Sequence, residues 1–290
     1  MAESEVPAPM LVLGSVVSVQ AGQAWGKGLF AAAGPSGVVL LRLVFAALAL
    51  LVLRRPRPPG RDALGLVAAL GTAIAGMQLI YPAMERLPVG VASTVQFLGP
   101  LTLALIMARR AADLVWAALA GTGVVLISSP VGVPLPATGI ALALGSGVCM
   151  AAYLVLVKRA GARDGSLLPW AVLFAAVLSL PLVLVAGTVL LRPGVLLAGL
   201  GVALVSAALP WSLDQAALRR LPERVVAVMV SLEPAAGAAA GLVLLGERLS
   251  WPQWVAIACV SVASAGAALS GRAAPAGRGG GAIPRTPPAG

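Results

Sequence analysis

The chain has 290 residues, of which 60% are hydrophobic and 10% are charged, and it contains no histidine. A soluble domain carries charge at about a quarter of its positions, so this composition excludes a soluble globular protein and predicts an all-α integral membrane protein surrounded by lipid. The net charge of +10 does not predict nucleic-acid binding, because only 4% of the residues are aromatic and no basic block alternates with them. Basic residues that flank membrane spans explain this charge.

Ten apolar segments follow one another along the chain, each close to the roughly 20 residues that a membrane-spanning helix needs. They cover residues 9–29, 35–53, 64–84, 88–108, 113–131, 137–157, 168–190, 194–213, 222–244 and 251–270. Residues 1–8 form a short N-terminus without the positive charge of a secretory signal, so the first segment is expected to be retained. Residues 271–290 are rich in Gly, Pro and Arg and are expected to form a disordered tail.

The distribution of lysine and arginine predicts the orientation in the membrane. With the N-terminus in the cytoplasm, the cytoplasmic loops and the tail hold 15 of the 20 basic residues. Cytoplasmic loops carry an excess of Lys and Arg in membrane proteins. Both termini are therefore predicted to be cytoplasmic.

The two halves of the chain resemble each other. Arg86-Leu87-Pro88 recurs as Arg220-Leu221-Pro222, at an offset of 134. Other pairs, at this offset or at one of 131, are Pro100 with Pro234, Gly99 with Glu233, and Lys27 with Lys158. Residues 9–131 and 137–270 are therefore predicted to be two five-helix repeats. Because five is odd, the repeats have opposite orientations, as in many secondary transporters.

One acid, Glu233, lies inside a long apolar run. It follows Pro222 by about 11 residues, or roughly 16 Å of helix, which places it near the middle of a hydrocarbon core about 30 Å thick. An acid at that depth is costly and is a candidate for carrying a proton or binding an ammonium group. Arg42 and Lys27 are candidates for binding a carboxylate, although Lys27 is equally suited to extend towards the membrane surface.

Uncharged polar side chains are further candidates for contact with a bound molecule. Those expected at intermediate depth are Gln20, Gln23, Gln78, Tyr81, Gln96, Tyr153 and Ser206. The alternative for each glutamine is a hydrogen bond between helices.

The sequence does not favour an enzyme. It has no histidine for a catalytic triad or a metal cluster, no Walker-type phosphate loop and no G-x-S-x-G motif. No cofactor or metal site is predicted. Cys149 and Cys259 lie within apolar runs and are expected to be packing residues.

Four runs carry a resemblance to a known family. They are SVQAGQAWGKGLF (18–30), QFLGPLTLALIMARRAADLVW (96–116), ALPWSLDQAALRRLP (208–222) and SLEPAAGAAAGLVLLGERL (231–249). They resemble the drug/metabolite transporter superfamily of the EamA type, and within it most closely the bacterial threonine and homoserine exporters. The resemblance implies ten helices in a bacterial cytoplasmic membrane, export of small amino acids and coupling to protons. The chain departs from that subgroup at Gln96 and Gln78, where Glu and Asn are expected.

The predicted function is secondary active export of an amino acid similar to threonine or homoserine, in exchange for protons. The alternatives are export of another small metabolite or a cationic drug, and a membrane interaction subunit that transports nothing. An inverted repeat disfavours the interaction subunit, because such a protein has no use for two alternately opening gates. Arg42, Lys27 and the scarcity of aromatic residues favour an amphoteric or anionic cargo over a cation. No oligomeric state is predicted.

Overall fold

The computed structural model describes residues 7–107, 112–127, 135–160, 167–218 and 220–270, and all regular elements in these ranges are helical. The α-helices are α1 (Ala8–Gly28), α2 (Phe30–Arg54), α3 (Leu64–Met77), α4 (Ile80–Met84), α5 (Val89–Met107), α6 (Ala112–Ile127), α7 (Ala137–Ala160), α8 (Leu167–Leu178), α9 (Leu182–Ala186), α10 (Pro193–Ala203), α11 (Leu209–Leu218), α12 (Glu223–Val230), α13 (Glu233–Leu245) and α14 (Trp251–Ser270). The predicted tail, residues 271–290, lies outside the described residues.

The helices coincide with the predicted apolar segments. For example, α14 covers the predicted 251–270, and α7 begins at the predicted Ala137. Seven helical stretches in the described ranges are long and apolar enough to cross a membrane, and a bent pair formed by α8 and the helix from Leu182 to Leu191 is an eighth. The first and fifth predicted segments are also helical, as α1 and the shorter α6. The chain is an all-helical integral membrane protein.

The outer surface of the helices is apolar and the interior contains polar groups. Leu184 is 85% exposed and Val243 is 78% exposed, whereas Gln20 and Thr94 are buried. A soluble protein rarely exposes such extensive apolar surface. This arrangement fits a protein whose helices face lipid and whose interior holds the polar site.

Four of the predicted spans are interrupted within the membrane. The interruptions lie between α3 and α4, between α8 and α9, in the π-helical turn Leu204–Ala208, and between α12 and α13. A proline lies in or shortly after each of them, at Pro82, Pro181, Pro210 and Pro234. Proline lacks an N–H and removes the helical hydrogen bond to the carbonyl four residues earlier. Three of these four segments are still single stretches long and apolar enough to cross a membrane, as predicted, and the fourth is bent by 52° between α8 and α9.

The second helix has a further bend near its start. Gly34 has a φ of 65°, in the left-handed region that glycine adopts without a steric penalty, and Pro35 follows it. The predicted start of this span at residue 35 therefore coincides with the bend, while the helix itself begins at Phe30.

Helices from the two halves of the chain pack against each other in a reciprocal way. In the first half, α1 packs on α13, and in the second half α7 packs on α5. Likewise α2 packs on α10, α3 packs on α8, and α6 packs on α14. The polar face of α1 is thereby enclosed mainly by helices of the second half.

The contact between α5 and α7 depends on two glycines. A Cβ atom added to Gly147 would overlap the carbonyl oxygen of Gln96, and one added to Gly99 would overlap the backbone of Gly147. Small residues at such crossings allow helix backbones to approach closely in membranes. The two halves are therefore in direct backbone contact at this crossing.

We predict that Gly147→Ala lowers the stability of the folded protein by about 1–3 kcal/mol, because the added methyl group must displace backbone atoms. Gly121→Ala is the matched control, since no atom of the described ranges lies within 4 Å of a Cβ at that position in α6. The control is expected to be neutral or to stabilise by about 0.5–1 kcal/mol. Thermal denaturation of the purified proteins in detergent measures both, and equal midpoints would contradict the prediction.

Candidate functional site

The first helix presents two polar faces to its neighbours. On one face, Ser18 Oγ donates a hydrogen bond to the carbonyl of Val205 at 2.5 Å, and Gly22 packs so closely on Ser206 that an added Cβ would lie 2.6 Å from the Ser206 Cβ. On the other face, Gln20 contacts Glu233. Two groups of polar side chains therefore lie around α1 at nearly the same level.

The first group surrounds Arg42, at the midpoint of α2. Its Nε donates to Ser206 Oγ at 2.8 Å, one terminal nitrogen donates to Gln78 Oε1 at 2.7 Å, and the other donates to the Ser206 carbonyl at 3.0 Å. The guanidinium carbon also lies 5.7 Å from the centre of the Tyr81 ring. We call Arg42, Gln78, Tyr81 and Ser206 the Arg42 cluster.

The helix interruptions supply the acceptors for Arg42. Ser206 lies in the π-helical turn and precedes Pro210 by four residues, so no helical N–H from Pro210 can occupy its carbonyl. Gln78 lies at the break between α3 and α4, and its Nε2 donates to the Ile74 carbonyl at 2.9 Å. This bond orients the amide so that Oε1 faces Arg42.

Arg42 retains the capacity to bind an anion. A guanidinium has five N–H donors, and the hydrogen bonds described above use three of them. Arg42 forms no ion pair with any residue in the described ranges. Two donors and one uncompensated positive charge therefore remain for a carboxylate.

The second group surrounds Glu233, the first residue of α13. Gln20 Nε2 donates to Glu233 Oε2 at 3.4 Å, and Ser93 Oγ donates to Gln20 Oε1 at 3.1 Å. The absence of a side chain at Gly237 makes room for this arrangement, since an added Cβ would lie 2.7 Å from Gln20 Oε1. We call Gln20, Ser93 and Glu233 the Glu233 cluster.

The position of Glu233 suits a negative charge. It lies midway between Glu223, where α12 begins, and Leu245, where α13 ends. Because α12 ends at Val230, the carboxylate lies at the N-terminus of α13, where the helix dipole is positive. Glu233 makes no ion pair with a described residue.

Lys27 lies at the end of α1 and is paired with an acid that was not among the predicted candidates. Its Nζ lies 2.6 Å from Glu247 Oε1 and donates to the Leu87 carbonyl at 2.8 Å. The other oxygen of Glu247 accepts from the backbone N–H of Val89 at 2.8 Å. The side chains of Lys27 and Glu247 are 21% and 14% exposed. This Lys27–Glu247 ion pair joins α1, the loop before α5 and the loop after α13.

Gln96, which was predicted as a site candidate, takes part in a chain of hydrogen bonds between helices. Its Nε2 donates to Ser146 Oγ at 2.7 Å, and Ser146 donates to the Met77 carbonyl at 2.6 Å. These bonds connect α5, α7 and the end of α3. Tyr153 packs against the apolar core, and no hydrogen bond joins it to either cluster within the described residues.

Gln23 and Tyr81 are buried, and the structure leaves one polar atom of each without a partner. These atoms are Gln23 Oε1 and the Tyr81 hydroxyl oxygen. Native structures rarely bury a polar atom without a hydrogen bond. Both atoms are therefore available to a bound molecule.

Three residues of these networks were not among the candidates. They are Ser93, Ser146 and Glu247. Two of them had a signal in the sequence: Ser146 pairs with Ser15 in the internal repeat, and Glu247 belongs to the Gly-Glu pair of the run 231–249. For Ser93 the only signal is that Ser93 and Thr94 are adjacent polar residues in an apolar helix.

Comparisons with known proteins give consistent results. The model of the EamA-like transporter family matches residues 137–269. The chain is 38% identical over 277 residues to the threonine/homoserine exporter RhtA of Salmonella typhimurium (strain SL1344), covering 92% of this chain and 93% of that protein. It is 37% identical over 272 residues to the exporter of the same name from Escherichia coli (strain K12), covering 91% and 92%.

A protein of known crystal structure has a similar fold. It is 19% identical to this chain, with a TM-score of 0.63 over 90% of this chain and 97% of the other. At this identity the similarity shows the fold alone.

We predict that Lys27→Met lowers stability by about 1–3 kcal/mol, because Glu247 loses a charged hydrogen-bond partner in a partly buried place. The double variant Lys27→Met with Glu247→Gln is expected to recover part of this loss, since it no longer leaves an unpaired charge.

The control is Arg86→Met. Arg86 pairs with Glu85, and both side chains are largely exposed, at 40% and 45%. Such a pair contributes about 0–1 kcal/mol. Thermal denaturation in detergent gives all three values, and a loss with Arg86→Met as large as that with Lys27→Met would refute the prediction.

Proposed function

Because the chain belongs to the EamA-like transporter family, we propose that it is a secondary active transporter that exports a small amino acid, such as threonine or homoserine, in exchange for protons. The proposal rests mainly on the positions of one cation, Arg42, and one acid, Glu233, which both lie near α1. Each lies near the middle of its span and has no ion-pair partner among the described residues. The names of the two curated relatives support the cargo class.

An amino acid is a zwitterion and needs partners for both of its charges when it leaves water. In the proposal, the two remaining donors of Arg42 bind the carboxylate and Glu233 binds the ammonium group. The two clusters lie at the same level, because Gln20 contacts Glu233 and Gly22 contacts Ser206. Two residues along a helix correspond to a rise of about 3 Å, so the two clusters differ by only about this much in level along α1.

Proton coupling follows from the competition for one carboxylate. Glu233 binds either the cargo ammonium or a proton, and each neutralises its charge. After the cargo leaves to the outside, Glu233 takes up a proton there and releases it to the cytoplasm. An inward proton gradient thereby drives export.

The proposal also includes ten spans in two inverted repeats, residues 9–131 and 137–270, with both termini in the cytoplasm of a bacterium. The reciprocal packing of α1 on α13 and α7 on α5 supports the repeat. In this orientation the Lys27–Glu247 ion pair closes the external end of the site and must open during export. A topology reporter fused after Gly290 should lie in the cytoplasm, and an external reporter would refute this orientation.

Cells that produce the protein are predicted to accumulate threonine or homoserine in the medium faster than cells without it. Proteoliposomes with the purified protein should show the same transport, which excludes an indirect effect on metabolism. Cells with an empty vector are the control. Efflux of a cationic dye without efflux of any amino acid would instead support the cationic-drug alternative.

The coupling role of Glu233 predicts the behaviour of Glu233→Gln, which cannot take up a proton. In vesicles with a more acidic exterior, cargo efflux driven by the pH gradient is expected to fall on the order of 30-fold or more, because a charge pair is lost. The variant should insert at normal levels, since Gln has a similar shape and removes a buried charge.

The matched control is Glu85→Gln, which makes the same change at an acid whose side chain is 45% exposed and pairs with Arg86. It is expected to keep gradient-driven efflux. Unchanged efflux in Glu233→Gln would show that Glu233 has only a structural role.

A further inference from the structure

Two buried polar atoms, one on Tyr81 of the Arg42 cluster and one on Gln23 of α1, take no part in the proposed binding of the two charges of the cargo. Gln23 is 7% exposed and Tyr81 is 1% exposed. Gln23 Oε1 and the Tyr81 hydroxyl have no hydrogen-bond partner among the described residues. Because burying such atoms unpaired is unfavourable, a bound group that pairs with both would be preferred over one that does not.

The packing of α1 brings these two residues to one place. Gly26 follows Gln23 by three residues, so both lie on neighbouring positions of the helix surface. A Cβ atom added to Gly26 would lie 3.0 Å from Cε1 of the Tyr81 ring. The Tyr81 ring therefore lies within one helical turn of Gln23.

The same helix relates Gln23 to the Glu233 cluster. Gln23 follows Gln20 by three residues, and Gln20 is bonded to Glu233. Gln23 therefore lies on α1 between the residue that contacts Glu233 and the one that contacts Tyr81.

The Tyr81 hydroxyl is held in a fixed position. The ring contacts Phe30 edge to face, with 6.3 Å between ring centres, and the guanidinium of Arg42 lies over it. An amino acid whose carboxylate binds Arg42 would therefore place its side chain near Tyr81 and Gln23.

We propose that Gln23 and Tyr81 recognise a hydroxyl group on the side chain of the cargo, which makes them specificity-determining residues. A hydroxyl has one donor and two acceptor lone pairs. It can donate to Gln23 Oε1 while it accepts from the Tyr81 hydroxyl. This inference rests on the proposed function and adds the residues that distinguish a cargo with a side-chain hydroxyl from one without it.

The chemistry of the cargo offers a matched pair for the test. Replacing the hydroxyl of threonine by hydrogen gives 2-aminobutyrate, and the same replacement in homoserine gives the same compound. A site that hydrogen-bonds a hydroxyl discriminates against an analogue that lacks it, because its own polar groups are then left unpaired.

The experiment measures the apparent KM for threonine and for 2-aminobutyrate in proteoliposomes with the wild type, Tyr81→Phe and Gln23→Met. The wild type should prefer threonine. Each substitution should lower this preference about 3- to 10-fold, the effect of one lost hydrogen bond. The loss should appear as a higher KM for threonine, with the KM for 2-aminobutyrate unchanged or lower. Phe keeps the ring contacts of Tyr81, and Met is close in size to Gln, so both variants should fold.

Ser261→Ala is the control, because Ser261 of α14 also has a buried hydroxyl without a partner. It should leave the preference unchanged. If the wild type transports both compounds equally well, or if both site variants keep its preference, the hydroxyl site is refuted while amino-acid export stands. If the wild type transports neither compound, the proposed function and the hydroxyl site both fail.

Discussion

Arg42 imposes the main constraint on the interior of this protein. A guanidinium cannot lose its charge in a protein, and a charge in the hydrocarbon region is unfavourable unless polar groups replace water. Gln78 Oε1, the Ser206 hydroxyl and the Ser206 carbonyl provide this replacement, and the Tyr81 ring adds a favourable face. The helix interruption at Ser206 is needed for this, because in an unbroken α-helix the backbone carbonyls within the span already accept helical hydrogen bonds.

A recurrent spacing of proline occurs at two of these interruptions and also within the unbroken α5. Proline follows Gln78, Gln96 and Ser206 by four residues in each case. It thereby leaves the carbonyl of each of these residues without its usual helical donor. At Ser206 the free carbonyl binds Arg42, and at Gln96 it lies against Gly147. At Gln78 the carbonyl accepts from the N–H of Tyr81 instead. At Ser206 a polar side chain and a carbonyl without its helical donor give two hydrogen-bonding groups at one depth.

The positions of the helices could be predicted from the sequence, because the length and continuity of apolar segments are local properties. The start of α7 and both boundaries of α14 show this directly. The interruptions could not be located from the prolines alone, because membrane helices tolerate proline with or without a break. The depth of Glu233 was predicted from its distance to Pro222, and the break between α12 and α13 just before Glu233 was not part of that prediction.

The ion-pair partner of Lys27 could not be predicted from local properties of the sequence. Glu247 is 220 residues away, and which loops meet at one end of the bundle depends on how the helices cross. Periodicity within a single helix does not determine this crossing. For the same reason, the side chains that contact Arg42 could be recognised as polar, but their common location could not be derived.

The interface between α1 and α13 connects the Glu233 cluster with the Lys27–Glu247 ion pair. Gln20 and Lys27 are seven residues, or about two helical turns, apart and lie on the same face of α1. Both contact the same partner region, Gln20 at the start of α13 and Lys27 just beyond its end. A change at Glu233, such as the exchange of a proton for an ammonium group, therefore acts on the interface that the Lys27–Glu247 ion pair also holds. In the proposed transport cycle, the charge state of Glu233 and the opening of the external end are consequently coupled through α1 itself, and no separate relay is required.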